Sequence, residues 1–166
     1  MTFELRRQLV NDRIADKMWK NSGRDYTINF HLDTRGLTHA KGEKMSNQEV
    51  NFARNLFRQV EKITGIRFTE TGYQKADTII GCTNGSKWSQ ETKNKKYWSE
   101  SFYEDEGGNK LTSFEKLNIA ACVLRPLGLD PVDNKKYDTF DTVMSWNGDQ
   151  YFGLRGSDID ALQNLW

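Results

Sequence analysis

Apolar positions along the first half of the chain change period several times. Leu5, Leu9, Ile14 and Met18 recur at roughly helical spacing among charged residues, which predicts one N-terminal surface helix within residues 1–22. Tyr26, Ile28, Phe30 and Leu32 then alternate with Thr27, Asn29 and His31, which predicts a strand with the first four on one face. Asp33 to Lys44 is polar, holds Gly36 and Gly42, and reads as a loop. Ser46-Asn-Gln-Glu49 has the capping-box pattern, and Val50, Ala53, Leu56, Phe57, Val60 and Ile63 form an apolar face behind it, up to a stop at Gly65. Ile66 to Glu70 alternates as a second strand, residues 71–75 turn, and Ala76 to Cys82 reads as a third strand. Strand, long helix, strand, strand is an α/β order with a crossover helix on one face of the sheet.

The second half is less regular. An edge strand or hairpin is predicted around Tyr97 to Tyr103, closed by Gly107-Gly108. Thr112-Ser-Phe-Glu115 is a second capping box, opening a helix through Leu117, Ala120, Ala121 and Leu124 that stops near Pro126. Val132 to Asp141 is a polar loop and Thr142 to Trp146 a short apolar turn. A last helix, capped by Ser157, has Ile159, Leu162 and Leu165 facing inward. No internal repeat or low-complexity tract occurs.

A length of 166 residues suits one domain with a sizeable core. Lys and Arg total 24 against 23 Asp and Glu, a net charge of +1, so no bulk attraction to nucleic acid or anionic membrane is expected. With 9 Phe, 6 Tyr and 5 Trp, a core built more from rings than from aliphatic bulk is expected. No apolar run approaches the ~18 residues of a membrane span. Met1 to Arg7 lacks the apolar stretch of a secretory signal, so synthesis in the cytoplasm is expected. Cys82 and Cys122 cannot build a four-thiolate metal site; they read as buried thiols, with one disulfide as the alternative.

Four local patterns, in order, resemble the catalytic domain of the serralysin-type metzincin metallopeptidases, a peptidase family M10-like fold. They are the strand Tyr26 to Leu32 behind a helix containing Lys17-Met-Trp19; the block from Ser46 through Phe68-Thr-Glu70 to Ala76-Asp-Thr-Ile-Ile-Gly81; Val143-Met-Ser145, which resembles the Met-turn; and Asp158-Ile-Asp-Ala-Leu-Gln163, similar to the start of the family's closing helix. The resemblance spans nearly the whole chain. It implies an α/β (α+β) zincin domain over residues 1–166. A mixed, mostly parallel sheet of four or five strands and two long helices would occupy residues 23–128. An irregular C-terminal subdomain with the Met-turn, ending in a helix, would occupy 129–166.

The family's zinc helix carries H-E-x-x-H-x-x-G-x-x-H, whose three histidines bind the metal and whose glutamate is the general base. With Gly128 on the motif glycine, Ala121 falls on the first histidine, Cys122 on the glutamate and Arg125 on the second histidine. Pro131, or Asp130 with a one-residue slip, falls on the third. A methyl coordinates nothing and a guanidinium is always cationic, so the resemblance implies a domain without metal, cofactor or catalytic residues. Met144 remains as the hydrophobic floor.

Other chemistry weighs less. Cys122 as a nucleophile beside Arg125 lacks a nearby histidine as base, and Arg125 is expected to pair with Asp130, Asp138 or Asp141. Asp133, Asp138, Asp141 and Asp149 lack the spacing of a calcium loop. Lys93 to Trp98 mixes cations with rings as single-strand binders do, but the acidic run after it cancels the field, so nucleic acid is not the expected partner. Tyr97, Trp98, Phe102 and Tyr103 on the sheet edge instead favour a protein partner, by strand addition or face-on packing. The expectation is a non-catalytic structural or protein-binding subunit of a larger assembly, such as a phage tail, baseplate or capsid decoration. The competing class is a metallopeptidase or other hydrolase with an unrecognised active site.

Overall fold

A computed structural model describes residues 1–22, 25–36, 44–83, 99–104, 111–145 and 150–166. The N-terminal pattern resolves into two helices, α1 (Phe3–Leu9) and α2 (Asp12–Ser22), where one was expected. The break has a tertiary cause. Val10 forms a β-bridge with Leu129, and Asn11 donates its backbone N–H to Gly128 O (2.7 Å) while its side-chain oxygen caps α2 by accepting from Ile14 N (3.2 Å).

Strand β1 (Thr27–Leu32) buries Ile28, Phe30 and Leu32 on one face. Tyr26, expected to extend that face, instead stands outside the strand, 58% exposed and with a left-handed φ of 56°. Helix α3 (Asn47–Thr64) has the anticipated ends: a capping box between Ser46 and Glu49, and Gly65 in the left-handed conformation (φ 76°). Its buried Phe57 stacks on Phe30 with ring centroids 4.0 Å apart.

Strands β2 (Arg67–Glu70), β3 (Thr78–Thr83) and β4 (Ser99–Glu104) complete a four-stranded sheet in the order β2-β1-β3-β4. Every strand pairing described within this sheet is parallel, with Ile28 opposite Phe68, Leu32 opposite Ile80 and Cys82 opposite Tyr103. No antiparallel member of the expected mixed sheet is among them. Helix α4 (Ser113–Leu124) opens on the Thr112–Glu115 capping box and continues as a 3-10 turn over Arg125–Leu127. Pro126 ends it as anticipated, by lacking the N–H a further turn needs.

Helices α3 and α4 pack on each other and on the sheet. Helix α5 (Gly156–Leu165) packs on α3 and α1. Its N-cap is Arg155 rather than Ser157; the Ser157 hydroxyl donates instead to Asp141 O. Ala161 and Leu162 are fully buried, whereas Ile159 and Leu165 are half-buried. No helix among the described residues is long and apolar enough to cross a membrane.

Candidate functional site

The positions singled out by the zinc motif lie on α4 and the turn after it. Nine of the twelve α4 residues are buried, including Ala121 and Cys122, so the helix is enclosed on nearly all sides. Gly128 ends the turn with φ 103°, and a Cβ there would lie 2.9 Å from Asn11 O and 3.0 Å from Ala15 Cβ. Glycine is thus required by the close approach of α2. Asp130, one expected partner of Arg125, accepts from Asn11 Nδ2 (2.7 Å). Asp138 and Asp141 cap their own turn, Asp141 Oδ2 accepting from Asp138 N (3.0 Å) and Asp138 Oδ1 from Phe140 N (2.8 Å). Pro131 is half-buried.

Met144 is fully buried, and its carbonyl accepts from Val132 N (3.3 Å), so the turn at 142–145 lies beneath the segment following α4. Asp158 of α5 holds that turn in place. Its Oδ1 accepts from the Thr142 hydroxyl, and its Oδ2 from Val143 N (3.2 Å) and Arg155 N (2.7 Å). Burial pushes the Asp158 carboxyl upward from its ordinary pKa, against the pull of those three donors. Ser145 Oγ adds a bond to Tyr137 O (2.6 Å).

The expected partner edge is only partly within the described residues. Tyr97 and Trp98 lie outside them, and only the backbone of Phe102 is described. Tyr103 is a correction: it is fully buried, because strand alternation turns it toward the helices. Neither cysteine forms a disulfide; both are buried thiols close to Tyr103.

A polar cluster that the sequence did not reveal surrounds Tyr103. Glu49 and Glu115 occupy the same position in two capping boxes, at the N-termini of α3 and α4. Each spends one oxygen on its own cap, Glu49 Oε2 accepting from Ser46 N (2.5 Å) and Glu115 Oε1 from Thr112 N (3.0 Å). Their other oxygens are buried without a hydrogen bond at ordinary distance among the described residues, as is the hydroxyl of Tyr103 beside Glu49. Burial, reinforced by Glu49, pushes the Glu115 carboxyl up to about 7 despite the cap. One proton between Glu49 Oε1 and Glu115 Oε2 turns two unsatisfied acceptors into a hydrogen bond. Burial above all, with Cys82, Glu49 and Cys122 nearby, also drives the Tyr103 phenol far upward, so it stays protonated. The capping boxes themselves are sequence signals; their mutual approach is not.

An open cleft of about 520 Å³ lies at the carboxyl ends of β1 and β2, lined by His31, Arg35, Arg54, Glu70 and Tyr73 among others. His31 Nδ1 lies 2.9 Å from Thr71 O; a carbonyl only accepts, so Nδ1 carries the proton and Nε2 is the basic nitrogen. Tyr73 meets the imidazole edge-on, and Arg54 grips Glu70 through two bonds of 2.7 and 2.9 Å. Among the described residues no group of three His, Cys, Asp or Glu side chains is placed to hold a metal ion. The donor set at the motif positions, a methyl, a buried thiol and a guanidinium, does not fit zinc. The chain matches no protein-family model and no curated protein.

Proposed function

We propose that this chain is a serralysin-like metzincin domain without the zinc site, serving as a structural or protein-binding subunit of a larger assembly such as a virion. The observation that carries this reading is the state of α4. A helix that in the family offers metal ligands to a cleft here places Ala121 and Cys122 in the core, with Arg125 one turn on. Gly128 in the left-handed conformation and a buried Met144 beneath the following segment are in keeping with it. The test is metal content and casein hydrolysis of the purified chain. Less than about a tenth of a zinc per chain and no cleavage is the expected result; stoichiometric zinc with chelator-sensitive cleavage would overturn it.

A second reading is favoured by the His31 cleft. Open parallel sheets bind ligands at the carboxyl ends of their strands, and a histidine with one nitrogen fixed by a carbonyl is poised as a base. On this reading the chain is a metal-independent hydrolase, and a turnover with ester substrates that disappears in His31→Ala would select it.

A further inference from the structure

Trp19, Tyr26 and Trp166 meet at a surface recess of about 330 Å³ beside the turn that follows α4, with none of its lining shared with the His31 cleft. Its floor and rim come from one face of α2. Asp12, Ala15, Asp16 and Trp19 are spaced by three or four residues and so line up along the helix. Ala15 is buried and small, which leaves the recess open between the larger side chains.

The rings form walls rather than a stack. Trp19 and Tyr26 stand 72° apart with centroids separated by 4.9 Å, and Trp19 and Trp166 are tilted by 55° at 6.2 Å. All three rings line the recess, and aromatic faces carry the negative part of the ring quadrupole. Trp166 is oriented by its indole N–H, which donates to Leu127 O (2.8 Å). Tyr26 is held at φ 56°, a conformation a bulky side chain adopts only under strain, and it stays 58% exposed. That strain is not repaid by burial of the ring.

Charge adds a second source of selectivity. Asp16 pairs with the exposed Lys20 (2.7 Å), whereas no ion pair of Asp12 occurs among the described residues. Two indoles, a phenol ring and a carboxylate lining one recess favour a large, weakly hydrated cation over a neutral or anionic group.

We propose that Trp19, Tyr26, Trp166 and Asp12 form a binding site for an alkylated ammonium cation, a quaternary or methylated amine. A compact, strongly hydrated primary ammonium is disfavoured there, because the rings cannot replace its hydrogen bonds to water. The cation could be a free small molecule or a methylated lysine on a protein, and the two sources differ in what flanks it.

The experiment follows the indole N–H resonances of the 15N-labelled full chain during titration. Choline is compared with its neutral isostere 3,3-dimethylbutan-1-ol, and a trimethyl-lysine peptide with the unmodified peptide. Saturable shifts of the Trp19 and Trp166 signals, with choline or the methylated peptide at least about tenfold tighter than its control, are expected. Tyr26→Leu and Asp12→Asn, both at exposed positions, should weaken binding severalfold while leaving the melting temperature within a few degrees. If the methylated peptide binds better than choline, the source is a protein side chain; if choline binds as well or better, it is a free amine. Equal binding of the neutral isostere, or no movement of either indole, sinks the proposal.

Discussion

At the scale of single residues, the carboxyls of Glu49 and Glu115 contribute to the chain's response to pH, beside the buried Asp158 and the half-buried Asp77, whose carboxyls burial also pushes upward. Helix N-termini favour ionised carboxylates, yet two of them buried together cannot both be charged without repulsion. Burial wins at Glu115, whose pKa rises to about 7 from an ordinary 4.5. The folded state therefore binds this proton more tightly than the unfolded chain does. The associated stability is fully present below pH 4.5 and is lost as pH rises through 7. At most roughly 3–4 kcal/mol is involved, since one pKa unit corresponds to ~1.4 kcal/mol. Glu115→Gln keeps the oxygen that accepts from Thr112 N and supplies an N–H to Glu49. We expect urea unfolding midpoints of the parent chain to fall between about pH 5 and pH 8, and those of the Gln variant to change much less. At about pH 8 the variant should be the more stable of the two. Equal slopes for both proteins would mean that no proton is shared.

At the scale of elements, two glycines with similar backbone angles have different reasons to be glycine. Gly65 ends α3 at φ 76°, and nothing lies within 4 Å of the point a Cβ would occupy, so Gly65→Ala costs only the left-handed conformation, about 1 kcal/mol. Gly128 has φ 103° and would press a Cβ to 2.9 Å from the backbone of Asn11, which cannot yield without moving the start of α2. Gly128→Ala should lose about 3 kcal/mol or more, combining backbone strain with overpacking. Chemical denaturation of the two variants side by side checks the difference; similar losses would argue against close packing at Gly128. The contrast also shows what the sequence makes legible. Local signals place both capping boxes, the stop at Gly65 and the alternation of β1, because neighbouring residues decide them. The break between α1 and α2 and the inward turn of Tyr103 are not legible, because Leu129 and the α3–α4 face decide them. The same holds for the candidate sites: the Glu49–Glu115 pair and the His31 cleft arise from segments that meet only in the folded chain.

At the scale of the whole molecule, segments far apart in sequence are stitched together by main-chain and side-chain bonds. Asp130 N donates to Leu9 O (2.8 Å), Asp133 N to the Gln8 side chain (2.9 Å), and the Trp166 indole to Leu127 O. Asp158 then ties α5 to the Met144 turn through three donors. If residues 129–166 were a detachable subdomain, loosening Asp158 would create a separate early transition and leave the sheet and α3 untouched. The bonds to α1 and the packing of α5 on α3 argue instead for one cooperative unit. Asp158→Ala strands three donors, two of them buried, and should lower stability by about 3 kcal/mol, or roughly 10 °C in Tm for a chain of this size. Asp158→Asn keeps one oxygen for the two N–H groups, and its amide can donate to Thr142 Oγ1, so a loss of about 1 kcal/mol is expected. Thermal melts followed by far-UV circular dichroism and by Trp fluorescence should shift together in both variants. A biphasic melt in Asp158→Ala, with the upper phase at the parental temperature, would show that the C-terminal part unfolds alone.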